Sequence, residues 1–339
     1  MIKDTVLFAG TNYSFLDGVR PAGFSAPDYR IPSLVAVKGN IVAAIDSASG
    51  GMDWGKIGIS VKVSENQGES WSDEIRIVSP PCGKAPVEAS DTTSAVFMDP
   101  LMVVTGDKII MQFDMFPESK GLHDRSRLEK SDGYCEIGGK KYLMLFTNQQ
   151  SVKKLKRGNT ATGWNCYTLR EDGFVYDPDG VKTRYYMPRK HDFAYAYETI
   201  GDLYYGDGEF LDSPPPLYPE NTKDIYVGNI FLNTNMPDYS NHPDRVVKIP
   251  YSDAYNAPQS HSAPLRVAVV SYLWQTESTD GGMTWSCPRD ITPMVKTGRD
   301  GKFFGTGPGI GICLSHQPDA KKNGRLLMPM YALGRAAVI

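Results

Sequence analysis

Ile57, Ile59, Val61 and Val63 alternate with Lys56, Gly58, Ser60 and Lys62, the two-residue period of a strand with one face against a core. That run ends in Ser64-Glu65-Asn66-Gln67-Gly68-Glu69-Ser70-Trp71, and residues 75–78 lead back, so the octapeptide predicts a hairpin end. Upstream, residues 33–37 and 41–45 flank the turn Lys38-Gly39-Asn40. Together these make about four strands, the content of one propeller blade. A second hairpin follows, from residues 101–104 through Thr105-Gly106-Asp107 into the alternating Ile109, Met111 and Phe113.

The rhythm breaks after Asp114-Met115-Phe116-Pro117. Residues 118–264 are polar and rich in Tyr and Asp, with short strands of their own around Glu171-Asp172-Gly173 and over 225–233, and with loops at Pro214-Pro215-Pro216 and 256–262. Blade-like sequence resumes at 265–274 and reaches a second octapeptide, Ser278-Thr279-Asp280-Gly281-Gly282-Met283-Thr284-Trp285. Both octapeptides read Ser-x-Asp/Asn-x-Gly-x-Ser/Thr-Trp. The Asx side chain can bond amides ahead of it, the Gly can take positive φ, and the Trp covers the turn. Residues 311–314 and 326–331 continue the strand pattern. No helical periodicity is convincing, and 126–131 offer at most one turn. The expectation is an all-β chain with propeller blades over 1–117, an inserted β-rich region over 118–264 and resumed blade sequence over 265–339.

Composition narrows the functional classes. A formal net charge of −3 over 339 residues gives no field for nucleic acid or anionic membrane. No apolar run approaches the roughly 20 residues of a membrane span, and Met1-Ile2-Lys3-Asp4 is not a signal peptide, so the chain is expected to be cytoplasmic or to have its secretion segment elsewhere. The five cysteines (Cys82, Cys135, Cys166, Cys287, Cys313) and five histidines have no zinc spacing, and no metal or cofactor is expected. Buried free thiols are the simplest reading of the cysteines, with a Cys135–Cys166 disulfide as the alternative. Lys153-Lys154-Leu155-Lys156-Arg157 reads as a solvated loop, and Asp177-Pro178-Asp179-Gly180 as a hairpin turn rather than a calcium loop.

Tyr29-Arg30-Ile31-Pro32, Asp53-Trp54-Gly55, the two octapeptides as Asp boxes, Asp114-Met115-Phe116-Pro117-Glu118 and the loop Gly305-Thr306-Gly307-Pro308-Gly309 stand in family order. On these motifs the chain resembles the bacterial exo-α-sialidases, in the subgroup with a domain inserted in the propeller. The resemblance implies a six-bladed β-propeller, here incompletely represented, acting on sialylated glycans. It also implies a secreted or cell-surface location for a full-length member.

Sialic acid carries a carboxylate on its anomeric carbon, which calls for the planar fork of arginine. Arg30 matches the first of the family's three arginines as the carboxylate clamp. A carboxylate nucleophile would be repelled by the substrate, and the family uses a Tyr assisted by a Glu, departing from the two-carboxylate scheme. Asp53 matches the acid/base that protonates the leaving oxygen. Ile31, Asp99 and Phe304 fall at substrate-contacting positions, Asp99 opposite the sugar's 4-hydroxyl and Phe304 beside the Gly-rich rim. Trp71 and Trp285 read as structural.

The chain departs from the pattern at Ser47-Ala48, where relatives carry charged residues. The Tyr, its Glu and two arginines find no match before Ile339; Tyr331 and Arg335 fall too early. Three functions stay open: an exo-sialidase hydrolysing with retention, completed by a missing C-terminal half or a second chain; a non-catalytic glycan-binding propeller or inert remnant; and an intramolecular trans-sialidase.

Overall fold

A computed structural model describes residues 7–8, 28–48, 57–78, 95–118, 131–147, 160–189, 200–213, 223–232, 263–297, 303–332 and 335–339. Asp53-Trp54-Gly55, Cys82, Lys153 to Arg157, Pro214-Pro215-Pro216 and residues 256–262 lie outside them.

The chain is all-β. A first antiparallel meander is β1 (Asp28–Val37), β2 (Asn40–Ala48), β3 (Ile57–Ser64) and β4 (Ile75–Val78). A second begins with β5 (Val96–Thr105) and β6 (Lys108–Phe116). Before completing it, the chain builds another sheet from β7 (Tyr134–Ile137), β8 (Lys140–Phe146), β9 (Tyr167–Leu169), β10 (Phe174–Tyr176), β11 (Lys182–Tyr186), β12 (Asp202–Tyr205), β13 (Ile225–Asn229) and β14 (Arg266–Val267). It returns as β15 (Tyr272–Ser278), paired along β6, and β16 (Arg289–Asp290). After α1 (Thr292–Val295) come β17 (Phe304–Thr306), β18 (Gly309–Ile310), β19 (Ile312–Cys313), β20 (Leu326–Leu327), β21 (Pro329–Ala332) and β22 (Arg335–Val338). The one-turn α1 was not foreseen, since four residues are too few to show a helical period.

Two sheets share one core. Phe97, Phe113 and Trp274 of the larger sheet meet Phe231, Met144, Val175 and Leu203 of the other, with the Trp274 ring edge-on to Phe97 at 5.7 Å and to Phe231 at 5.9 Å. A bond from the Val267 amide to the Ile230 carbonyl, 3.0 Å, joins the two ends of the smaller sheet's strand order. β3 differs from the half-buried strand its alternation predicts: Gly58 and Ser60 are buried as well as the Ile and Val positions. Ser60 tolerates this because its hydroxyl donates to Glu74, 2.5 Å away.

Each octapeptide closes a third-to-fourth-strand turn, between β3 and β4 and between β15 and β16. In the first, Asn66 Oδ1 accepts from the Ser70 amide at 2.9 Å, and the Gly68 amide donates to the Ser64 hydroxyl at 2.7 Å. The second repeats this with Asp280 and Thr284 at 3.0 Å and Gly282 and Ser278 at 2.9 Å.

Candidate functional site

Arg30 sits at a bulge. In the β1–β2 ladder Arg30 pairs with Asp46 and Ser33 with Ala44, so Ile31 and Pro32 face Ile45 alone. Proline suits this spot because it has no amide to give the ladder. Ile31 takes φ 56°, a conformation rare for a β-branched residue and costing on the order of 1–3 kcal/mol. The second meander repeats the device. Met98 pairs with Asp114 and Leu101 with Gln112, so Asp99 and Pro100 face Phe113 alone, and Asp99 takes φ 61°.

The aspartates opposite the bulges are fully buried. Asp46 holds Oδ2 3.6 Å from Arg30 Nε, and its Oδ1 accepts from the amide of Asp99 at 2.8 Å. Asp114 does the same one strand further on: its Oδ1 accepts from the Thr306 amide at 2.9 Å, while the Thr306 hydroxyl donates to the Asp99 carbonyl at 2.7 Å. Each carboxylate thus latches the next inner strand onto the one before. β18 completes the sequence by pairing in parallel with β5, and the Ser33 hydroxyl donates to the Gly309 carbonyl. Gly305 is required by contact, since a Cβ there would overlap Asp114 Oδ2.

Charge divides the two aspartates. Asp46 faces a guanidinium, whereas Asp114 faces Met98 and its Oδ2 makes no hydrogen bond among the described residues. Burial therefore pushes the Asp114 carboxyl well above the usual carboxylate range, with the nearby charges of Asp99 and Asp46 adding to the effect and the Thr306 amide and Lys296 opposing it. Tyr331 reaches Asp99 Oδ2 at 3.5 Å. Tyr29, beside Arg30, donates to Glu74 at 2.7 Å; burial and that carboxylate push its pKa up to about 12, the opposite of an activated phenol.

Arg30, Ile31 and Asp99 are therefore brought together, joined by Asp46. The Arg30 side chain is 25% exposed, with its Nε and Nη2 buried and Nε beside Asp46. Phe304 differs from its expected place at the rim. It is 3% exposed and packs with Leu101, Val103, Leu273 and Ile291, because β17 turns its ring into that cluster. Asp53 lies outside the described residues. A separate cleft of about 300 Å³ lies where the smaller sheet meets β15 and β16, lined by Tyr134, Tyr142, Phe231, Trp274 and Asp290; it shares no residue with the Arg30 cluster.

No family model matches the chain. Among curated proteins it is 25% identical to the anhydrosialidase of Macrobdella decora over 91% of this chain and 36% of that protein. It is 23% identical to sialidase B of Streptococcus pneumoniae over 90% of this chain and 39% of that protein. The chain is similar in sequence to these sialidases. It spans just over a third of the length of these two curated sialidases. Among solved structures, the intramolecular trans-sialidase of Ruminococcus gnavus superposes with a TM-score of 0.59 at 22% identity, covering 90% of this chain and 56% of that one. The NanB sialidase of Streptococcus pneumoniae gives 0.60 at 21% identity, covering 93% and 42%. These likenesses carry the sialidase β-propeller fold.

Asp46 went unnoticed in the sequence and Asp114 was read only as part of a family motif with no role of its own, since an Asp after Ala-Ile or Gln-Phe looks like a strand's solvent-facing residue. One signal was present: each Asp follows its bulge proline, Pro32 or Pro100, at the same spacing of fourteen residues.

Proposed function

We propose that the chain carries one part of a sialidase active site, in which Arg30 clamps the carboxylate of a terminal sialic acid on a glycan. The observation that supports this is Arg30 itself, a partly exposed side chain backed by a fully buried aspartate at a bulge. A guanidinium held this way has lost little freedom still to lose, so it binds a planar anion at low entropic cost. Asp99 and the sugar's 4-hydroxyl, and Asp53 as acid/base, complete the role assignment. The Tyr nucleophile and its Glu are assigned to a further segment or a second chain, since no motif here matches them.

Two outcomes of the chemistry differ by one water. In hydrolysis water takes the anomeric carbon; in intramolecular transfer a hydroxyl of the sugar itself does, and the product is lighter by one water. The transfer reading is favoured by the likeness to the anhydrosialidase of Macrobdella decora and the intramolecular trans-sialidase of Ruminococcus gnavus. A fluorogenic aryl sialoside offered to the protein, with products weighed by mass spectrometry, separates the two. Arg30→Ala is expected to abolish turnover, or binding if the chain alone does not turn over. Asp53→Asn is expected to slow natural sialosides far more than aryl sialosides, whose leaving group needs little protonation. Unchanged sialoside binding by Arg30→Ala refutes the clamp.

A further inference from the structure

The cleft between the smaller sheet and β15 and β16 holds a cation that no described carboxylate pairs with. Arg170 follows β9 at the mouth of a tight turn, where its amide donates to the Phe174 carbonyl at 2.9 Å and its carbonyl accepts from the Gly173 amide at 3.0 Å, so its backbone is fixed. Its guanidinium lies over the Tyr142 ring, 3.9 Å from the centroid, with the Tyr176 ring 5.3 Å away. Stacking occupies the face of the guanidinium and leaves its N–H groups, which lie in the plane, for other partners. Arg170 forms no ion pair and no side-chain hydrogen bond among the described residues, and its Nε is buried.

The other charges on the lining are already matched. Glu171 takes Lys140 at 2.8 Å, Asp290 accepts from the Tyr134 hydroxyl and the Thr292 amide, each at 2.8 Å, and Lys141 donates to Asp132 at 3.3 Å and to the Pro293 carbonyl at 3.0 Å. A wider cleft of about 610 Å³ shares Tyr142, Arg170 and Glu171, and there too the remaining acid is held, Asp172 by Lys182 at 2.9 Å. Arg170 is therefore the surplus charge in both. The first cleft's lining carries a second unmet group, the Trp274 indole N–H, buried with no hydrogen bond among the described residues. Both unmet groups are donors, so the missing partner is an acceptor.

We infer that this cleft binds a small carboxylate carried on an apolar ring. A carboxylate presents two coplanar acceptors to the edge of a guanidinium, and its single charge matches one arginine; a phosphate dianion calls for more donors than Arg170 and Trp274 supply. The body of the ligand follows from the rest of the lining, where Tyr134, Leu143, Leu169, Ile230 and Phe231 offer ring and aliphatic surface. Sugar hydroxyls would give up hydration there and find few free partners, so an aromatic acid fits better than sialic acid. The volume of about 300 Å³ stands at the lower end of ligand sites, with room for one or two fused rings. The site shares no residue with the Arg30 cluster, and its occupancy is independent of the sialidase reading.

The test titrates the whole chain with 2-naphthoate, 2-naphthamide and N-acetylneuraminic acid while the tryptophan indole N–H signals are followed by NMR. 2-Naphthoate is expected to move the Trp274 signal with a Kd on the order of 1 mM or tighter, and the neutral amide, the same body without the charge, to bind at least about tenfold more weakly. That comparison needs no variant. Arg170→Gln should weaken 2-naphthoate about tenfold or more, Arg170→Lys should fall between it and wild type because it keeps the charge and loses the fork, and Arg30→Ala should bind as wild type does. Absence of 2-naphthoate binding in this range overturns the inference, as does equal binding of the amide. Movement of the Trp274 signal by N-acetylneuraminic acid at lower concentration than by 2-naphthoate, or loss of 2-naphthoate binding in Arg30→Ala but not in Arg170→Gln, overturns it as well.

Discussion

The first and second meanders share one backbone plan and differ in one side chain. Each inner strand bulges at a residue of positive φ before a proline, and each second strand sets a buried aspartate opposite the residue before the bulge. Both aspartates accept an amide from the next inner strand, at 2.8 and 2.9 Å. The cross-strand partner is Arg30 in one case and Met98 in the other. Latching successive strands therefore does not require the arginine, since Asp114 does it facing a thioether. Arg30 is an addition to the scaffold, and a partly exposed charge added where the repeat manages without one is the position to assign to ligand chemistry.

The largest effect should come from removing the shared element where it serves both purposes. Asp46→Ala leaves the Asp99 amide buried without this acceptor and takes away the carboxylate beside Arg30, so a loss of about 3–5 kcal/mol is expected in urea unfolding. Arg30→Met turns the first bulge into a copy of the second, keeps the latch, and should cost only about 1–2 kcal/mol while eliminating sialoside binding. If Arg30→Met is as costly as Asp46→Ala, the separation of scaffold from chemistry fails.

Asp114→Asn is the next test, and its effect depends on pH. The folded-state pKa of Asp114 is raised, so its contribution is fully present below the unfolded value near 4 and is lost as pH rises through the raised one. Asparagine keeps an acceptor for the Thr306 amide and cannot ionise. At pH 5 the variant should lie within about 1 kcal/mol of wild type, and towards alkaline pH its stability should decline less steeply. Parallel stability curves from pH 5 to 9 would mean that Asp114 is already ionised in the folded protein.

Much of this is legible in the sequence. Alternation at 57–63 and 109–113 marked β3 and β6, and the paired octapeptides marked the turns after β3 and β15, because side-chain period and turn chemistry are local properties. The bulges were not legible. Whether Ile31-Pro32 and Asp99-Pro100 face one residue or two is decided by ladder register, which is a pairwise property of strands. Phe304 was misplaced for a related reason: adjacency to a Gly-rich loop does not say which way a strand turns its ring. The same limit hid Asp46, whose burial depends on strands from the other meander.

The smallest effect separates the two octapeptide turns. Both use the same backbone bonds, but Asp280 is ionisable and also accepts from the Thr284 hydroxyl at 2.5 Å, whereas the Asn66 amide donates to the Ser70 hydroxyl at 2.8 Å. Burial acts to raise the Asp280 pKa, yet the bonds from Thr284 and Ser278 outweigh it and the net shift is downward. Its stabilisation is therefore present above the unfolded value near 4 and lost as pH falls through the folded one. The second turn is also better tied, with the Trp285 indole donating to the Gly282 carbonyl at 2.9 Å while the Trp71 indole nitrogen makes no hydrogen bond among the described residues. Asn66→Asp makes the first turn resemble the second once the Ser70 hydroxyl reverses to donate. A gain of about 0.5 kcal/mol is expected at pH 7, since a bond to a charged acceptor is somewhat stronger than a neutral one, and no gain near pH 3. Equal stability of wild type and variant at pH 7 would mean that the two turns are held by their backbone bonds alone and that the charge of Asp280 contributes nothing.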